Sequence, residues 1–381
     1  TAVLASGTRF PDALASGPLA YERRLPILLT PSEGGLHPDA AAAIDELAID
    51  HVVVVGGPIA VPREVADDLD GLGVSHERVA GRDRTATATE VADWAVDHAG
   101  FSTEEVMVAR GDAFPDALAA APLAGVARHP VLLTRTPTQP GYELLRWLVD
   151  HSDGTAPGPA IERVTGLGGH EALAPATLEH LAEASAPPEQ VMQYAVDTAG
   201  DVSADVAWFT RHVDWTLTDP RGWALGHDVR WDRVADPDVA DITIHLATPA
   251  AVDAAADGCS AAYSCQPAGT DDVYVNEDNW TDATPSYREA GRTLDSYRHY
   301  VVLHEVGHAP PMNFGHIRCE DVHAAPAGEP APAMEQQSIP GEMDPCTTRV
   351  WPLQLERDQA RDALIGGGST LTEPDDRTYA P

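Results

Sequence analysis

Short apolar runs alternate with alanine-rich stretches through the first half of the chain. Residues 3–5, 27–29 and 51–55 read as strands, and residues 12–21, 38–47 and 62–69 as helices. That alternation predicts a parallel sheet covered by helices. The Gly56-Gly57 pair after the third strand reads as a turn. It is not a dinucleotide loop, because no G-x-G-x-x-G is present.

The pattern then repeats. Gly7-Thr8-Arg9-Phe10-Pro11-Asp12-Ala13-Leu14-Ala15 returns 104 residues later as Gly111-Asp112-Ala113-Phe114-Pro115-Asp116-Ala117-Leu118-Ala119. Pro18-Leu19-Ala20 returns as Pro122-Leu123-Ala124, and Leu28-Leu29-Thr30 as Leu132-Leu133-Thr134. Residues 52–57 are echoed by residues 164–169, with a loop inserted at residues 152–159. A period of this length marks domain-sized modules rather than solenoid turns. Phe10-Pro11-Asp12 reads as a helix start, with Pro in the first turn and an acid near the positive end of the dipole.

At Ala186-Pro187-Pro188-Glu189 the pattern stops, and a proline pair after a helix makes a linker. Beyond it the composition changes: Trp208, Trp215, Trp223, Trp231 and Trp280 follow, with all four Cys. The expected organisation is a partial module over 1–77, a second module over 78–186, a linker at 187–190 and a further domain over 191–381. The last ends in a mobile tail around Gly366-Gly367-Gly368. A length of 381 residues suits two or three domains. The chain opens at Thr1 with no signal-like segment and reads as a mature or truncated product.

Charge narrows the partners. The net charge is −36, and all 24 basic residues are Arg. Such a surface repels nucleic acid and anionic lipid, and no run of eighteen apolar residues offers a membrane span. High-salt adaptation and a GC-rich genome both account for Arg without Lys. Cys259, Cys265, Cys319 and Cys346 suit two disulfides in an oxidising compartment. Three pairings are possible, of which Cys259–Cys265 with Cys319–Cys346 is the most local. A zinc–thiolate site is the rival reading, and the spacings fit paired C-x-x-C knuckles poorly.

The repeated half resembles the cell wall-binding repeat 2 family of Gram-positive surface proteins. The resemblance rests on Leu4-Ala5-Ser6-Gly7, Phe10-Pro11-Asp12-Ala13-Leu14-Ala15, Pro26-Ile27-Leu28-Leu29-Thr30, Val54-Val55-Gly56-Gly57 and Arg78-Val79-Ala80-Gly81-Arg82-Asp83-Arg84. It covers about residues 1–186 and implies non-covalent binding of an anionic wall polymer. The family's modules open at the Arg-x-x-Gly-x-Asp-Arg segment, so the first module here lacks its beginning. An acidic chain would need a local basic patch for such a polymer. Arg78, Arg82, Arg84 and Arg110 are the candidates; packing salt bridges between modules are the competing role.

In the second half, residues 304–308 read His-Glu-Val-Gly-His after the apolar run Tyr300-Val301-Val302-Leu303. On a helix, positions i and i+4 stack, so His304 and His308 present two imidazoles to one ion with Glu305 beside them. This is the HExxH arrangement of zinc hydrolases, in which the glutamate is the general base. Catalytic zinc takes a third protein ligand. Pro310 and Pro311 end the helix, Gly315 permits a bend, and His316 follows as the expected third ligand. His323, Glu320 and Asp321 stand as alternatives.

This half resembles an actinobacterial secreted-protein family, a domain of unknown function with a metzincin-like signature. The residues are Leu217-Thr218-Asp219-Pro220-Arg221-Gly222-Trp223, Val275-Asn276 with Trp280, His304 to His308, His316 with Cys319, Met334-Glu335-Gln336-Gln337, and Cys346 with Trp351-Pro352. The resemblance covers about residues 191–355. It implies a zinc-dependent peptidase, strengthens His316 as ligand, and makes Met334 the apolar floor beneath the metal. The expected fold is therefore multidomain: α/β parallel-sheet repeat modules followed by an α+β metzincin-like zinc peptidase domain. The expected substrate is a peptide or protein held by strand addition along residues 273–276, with Asn276 or His323 as oxyanion donors. A non-catalytic surface protein with a structural metal site and a peptidoglycan amidase are the competing functions.

Overall fold

A computed structural model describes residues 1–338, 346–347 and 349–366. The chain forms two compact units that divide between Pro187 and Pro188. The expected C-terminal tail beyond Gly366 lies outside the described residues.

The first unit runs β1 (Ala2–Ser6), α1 (Pro11–Ala15), α2 (Gly17–Arg23), β2 (Ile27–Thr30), α3 (Pro38–Glu46), β3 (His51–Val55), α4 (Glu64–Gly71) and β4 (Ser75–Val79). It continues with α5 (Arg84–Ala99), β5 (Glu105–Arg110), α6 (Pro115–Ala127), β6 (Val131–Thr134), α7 (Tyr142–His151), β7 (Arg163–Gly166) and α8 (Pro175–Ala184). Two parallel sheets result, ordered β2-β1-β3-β4 and β6-β5-β7. The apolar runs form their central strands: β1 and β3 are buried along nearly their whole length. Strand β4 carries Arg78 and Val79 into the first sheet, so the boundary expected at 77/78 passes through a strand. Residues 152–159 form the connection from α7 toward β7.

The segment expected as one helix over 12–21 is two. Pro18 has no N–H for the ladder, Ser16 turns its hydroxyl onto the Ala13 carbonyl at 3.0 Å, and the helix restarts at Gly17. In the second module α6 continues past Pro122. These helices pack through positions equivalent under the 104-residue repeat. A Cβ on Gly17 would lie 2.8 Å from the Ala121 Cβ, and one on Gly125 would lie 2.7 Å from the Pro18 carbonyl and 2.9 Å from the Tyr21 ring. Phe10 meets its counterpart Phe114 edge to face at 5.9 Å. The duplicated sequence thus builds a helix pair that only small residues permit.

The second unit comprises β8 (Gln190–Ala199), α9 (Val206–Leu217), β9 (Val229–Arg233), β10 (Ile242–Ala247), α10 (Pro249–Ala255), β11 (Asp272–Asn276), α11 (Glu277–Asp282) and α12 (Pro285–Glu289). It ends with α13 (Leu294–His308), α14 (Cys319–Val322) and α15 (Gln354–Leu364). Its four strands are all parallel, in the order β11-β10-β8-β9. Trp223, Trp231, Trp280, Tyr194, Phe209, Tyr297 and Tyr300 fill the core on which α9 and α13 pack. Disulfides join Cys259 to Cys265 and Cys319 to Cys346. Among the described residues no helix is long and apolar enough to cross a membrane.

The free sheet edge expected along residues 273–276 is already in use. Cys265 and Tyr274 exchange backbone hydrogen bonds at 2.9 and 2.8 Å, and Asn276 N–H donates to Ser264 Oγ. A peptide cannot add there, and the loop that covers the edge faces the cleft instead.

Candidate metal centre

Helix α13 is capped by Thr293, whose hydroxyl accepts from the Ser296 N–H. It ends where Ala309 turns extended ahead of Pro310. Between these ends the i, i+4 spacing places His304 and His308 one turn apart. Asn313 takes a left-handed conformation at φ 49°, and Phe314 N–H donates back to the Gly307 carbonyl at 2.9 Å. That reversal returns His316 to the helix. The His316 ring centroid lies 5.4 Å from that of His304 and 4.8 Å from that of His308. One ligand atom from each of the three lies within 4.8 Å of the others.

The tautomers follow from the partners. His304 Nδ1 donates to the Ala333 carbonyl at 2.8 Å, and His308 Nδ1 donates to the Phe314 carbonyl at 2.6 Å. A carbonyl only accepts, so both protons sit on Nδ1. Two Nε2 lone pairs then face each other at 3.3 Å. Burial presses His304 down to about 3 and lowers His308, so neither ring readily takes the proton that would relieve the repulsion. A shared cation does relieve it, and the three-histidine donor set fits a zinc-type ion.

Glu305 is buried beside them, and burial drives its carboxyl up to about 8. It lines a cleft of about 510 Å³ with His304, His308, His316, Tyr263, Gln266 and Asn313. The cleft is therefore lined by a buried carboxyl group and three imidazoles.

Met334 packs directly on the helix. A Cβ at Gly307 would lie 2.3 Å from the Met334 sulfur, so the glycine in the motif makes space for the methionine. Sequence reasoning missed what holds Met334 in place. Glu356, on α15, accepts from the N–H groups of Ala333 at 3.0 Å, Met334 at 2.8 Å and Leu353 at 2.6 Å. One carboxyl group thus fixes the turn whose Ala333 carbonyl orients His304. Tyr300 adds a second brace, donating to the Glu335 carbonyl and accepting from Gln337 N–H, each at 3.0 Å. Met334 also accepts from Ile317 N–H, next to His316. No local signal marks Glu356, because its role appears only when α15 folds back.

Other candidates lie elsewhere. His323 Nε2 bonds the Pro330 carbonyl, and Glu320 pairs with Arg318. His323, Glu320 and Asp321 are not in the three-histidine group. Asn276 is no oxyanion donor: it caps α11 and spends its amide on the Ala261 and Tyr263 carbonyls. The Arg set is committed within the first unit. Arg78 donates to the Gly56 and Val61 carbonyls, Arg84 to the Gly111 carbonyl, Arg82 pairs with Glu143, and Arg110 makes a two-pronged pair with Asp112. Asp83 caps α5, accepting from the Thr85 and Ala86 N–H groups.

Comparison with known proteins gives two family matches, one mainly over each half of the chain, which overlap at residues 169–178. Residues 1–66 and 78–178 match the model of cell wall binding domain 2. Residues 169–348 match a family described as a protein of unknown function, DUF3152. The N-acetylmuramoyl-L-alanine amidase LytC of Bacillus subtilis (strain 168) is 34% identical over 134 residues, 35% of this chain and 26% of that one. The amidase enhancer of the same organism is 29% identical over 154 residues, 39% of this chain and 20% of that one. The chain thus matches about a quarter of the length of these relatives or less. Among solved structures, Cwp8 from Clostridium difficile aligns with 65% of this chain and 44% of its own at TM-score 0.37 and 19% identity. Cwp6 from the same organism aligns with 86% of this chain and 46% of its own at TM-score 0.40 and 16% identity. The protein carries wall-binding modules joined to a DUF3152 domain. It is a cell-wall-associated or secreted protein.

Proposed function

We propose that the second unit is a zinc-dependent amide hydrolase acting on peptide bonds at the cell wall. The observation that carries this reading is the pair of Nε2 lone pairs held 3.3 Å apart, with His316 beside them and the cleft open above. His304, His308 and His316 would hold the ion. Zinc, when bound, supplies a water of lowered pKa and polarises the scissile carbonyl.

The chain's own groups do the rest. The Ala333 and Phe314 carbonyls fix both imidazoles in the ligating tautomer. Glu305 removes the proton of the attacking water at its carboxylate and passes it to the leaving amine. Its buried position makes it a strong base once ionised, and a nearby cation favours the ionised form. The 258–266 loop, which lines the cleft, excludes bulk water and positions the substrate. The wall-binding modules raise the local concentration of the hydrolase at its substrate. The four Arg named above are already bonded internally, so a wall polymer would have to displace those contacts or meet other groups.

A second substrate is favoured by the name of one curated relative, N-acetylmuramoyl-L-alanine amidase. The bond is again an amide and the chemistry unchanged. The test is hydrolysis of casein and of purified peptidoglycan, with zinc measured in the same preparation and with chelator added. New amines from either substrate, lost with chelator and regained with zinc, support the reading. A zinc-loaded protein inert on both removes it.

A further inference from the structure

We infer that the second unit holds a further transition-metal site, formed by His212 on α9 and by Asp295 and His299 on α13. One ligand atom from each lies within 4.8 Å of the others. Asp295 and His299 are four residues apart on one helix and so share a face. His212 reaches the same point from the neighbouring helix: its ring lies 4.3 Å from that of His299, and its Nε2 is 3.9 Å from Asp295 Oδ1.

Two observations point to a ligand rather than to packing alone. First, His212 is only 1% exposed, yet neither of its ring nitrogens has a hydrogen-bond partner. Leaving a buried polar atom without a partner is costly, so native structures rarely do so without a reason. The Asp295 contact is too long for a hydrogen bond. Second, the His299 tautomer is set. The Thr216 hydroxyl has one proton and donates it to the His212 carbonyl at 2.7 Å. Toward His299 Nδ1, 2.8 Å away, Thr216 can only accept. Nδ1 therefore carries the ring proton and Nε2 carries a lone pair.

A proton does not fill this site well. Burial, with His299 and Arg298 adding repulsion, presses His212 down to about 3. Burial also lowers His299, against the attraction of Asp295 and Asp219. Both shifts run toward the neutral imidazole, the form that ligates metals. Two imidazoles and one carboxylate suit zinc, cobalt or nickel and not calcium or magnesium. Trp208, Trp215 and Trp280 pack around His212, whereas Asp295 is exposed and offers the ion its way in. Nothing here resembles the Glu305 base, so the ion's role is to pin α9 to the helix that carries His304.

The test is zinc binding by the full-length protein, read by equilibrium dialysis with metal analysis and by thermal unfolding. Wild type binds two equivalents. The double variant His304→Ala/His308→Ala keeps one and is still stabilised by zinc. Asp295→Asn, at an exposed position where folding is not at risk, loses the other or weakens it about 100-fold. The triple variant binds none. Thr216→Val, which frees the His299 tautomer, weakens the same equivalent about 10-fold. Should wild type bind a single zinc that the double variant loses and Asp295→Asn keeps, the inference is overturned and the hydrolase reading stands. A single zinc with the opposite pattern upholds the inference and removes the hydrolase reading. No bound zinc in wild type overturns both.

Discussion

The two units treat their reactive side chains in opposite ways. In the first, Arg78, Arg82, Arg84 and Arg110 are each spent on a carbonyl or a carboxylate of the same unit. In the second, the His304 and His308 lone pairs confront each other at 3.3 Å beside a cleft. A group whose bonding is complete holds a fold together. A group whose bonding is incomplete in a buried place implies something that completes it. On the proposed reading the second unit carries the chemistry, and the first, which matches cell wall binding domain 2, serves as its scaffold.

Four changes sharpen or break that contrast. The largest effect is expected at His304. On the proposed function, His304→Ala removes one ligand and the partner of the Ala333 carbonyl, so zinc binding at that site and amide hydrolysis are both expected to be lost, read by metal analysis beside a cleavage assay. Retained zinc and activity would move the site elsewhere. Next comes Gly125→Leu in the first unit. Its Cβ would press on the Pro18 backbone, which has little room to move, and overpacking of this kind costs about 1–3 kcal/mol. Denaturation of the first unit should shift by that amount while zinc content stays constant. Gly307→Ala should cost less, near the lower end of about 1–3 kcal/mol, because the Met334 thioether can swing aside. Unlike the previous variant, it should also weaken zinc binding, through the Met334–Ala333 turn.

The smallest effect is a pH slope. Burial raises Glu356 to about 7, against the pull of three N–H donors. The folded chain then keeps its proton up to about pH 7, whereas the unfolded chain releases it near the usual 4.5. Between those values the folded state binds more protons, so this group's contribution to stability is full below pH 4.5 and declines as pH rises to about 7. Denaturant midpoints across that window, compared with Glu356→Gln, isolate the slope. An identical slope in the variant would place the proton on another group.

Much of this was legible in the sequence, for identifiable reasons. A helical i, i+4 repeat fixes His304 against His308 before any tertiary contact exists, and a 104-residue echo announces the two modules. Strands at 3–5, 27–29 and 51–55 stand out because each is a compact apolar run between turn residues. What stayed hidden depends on distant partners. Glu356 holds the Ala333–Met334 turn from α15, about fifty residues past the motif. Asn276 looked free until α11 claimed it as a cap. The 12–21 helix breaks at Ser16, while its repeat passes Pro122 intact, so local sequence alone does not decide the break. Likewise, residues 273–276 read as an open edge only until the Cys265 segment covered it.

The central claim is that Glu305 moves the proton at a metal centre built by His304, His308 and His316. Its most direct test is the rate of amide hydrolysis by wild type and by Glu305→Gln at equal zinc content. The account predicts that the variant binds zinc as wild type does while cleavage falls by about 10²–10⁴-fold. Equal rates at equal zinc would contradict it.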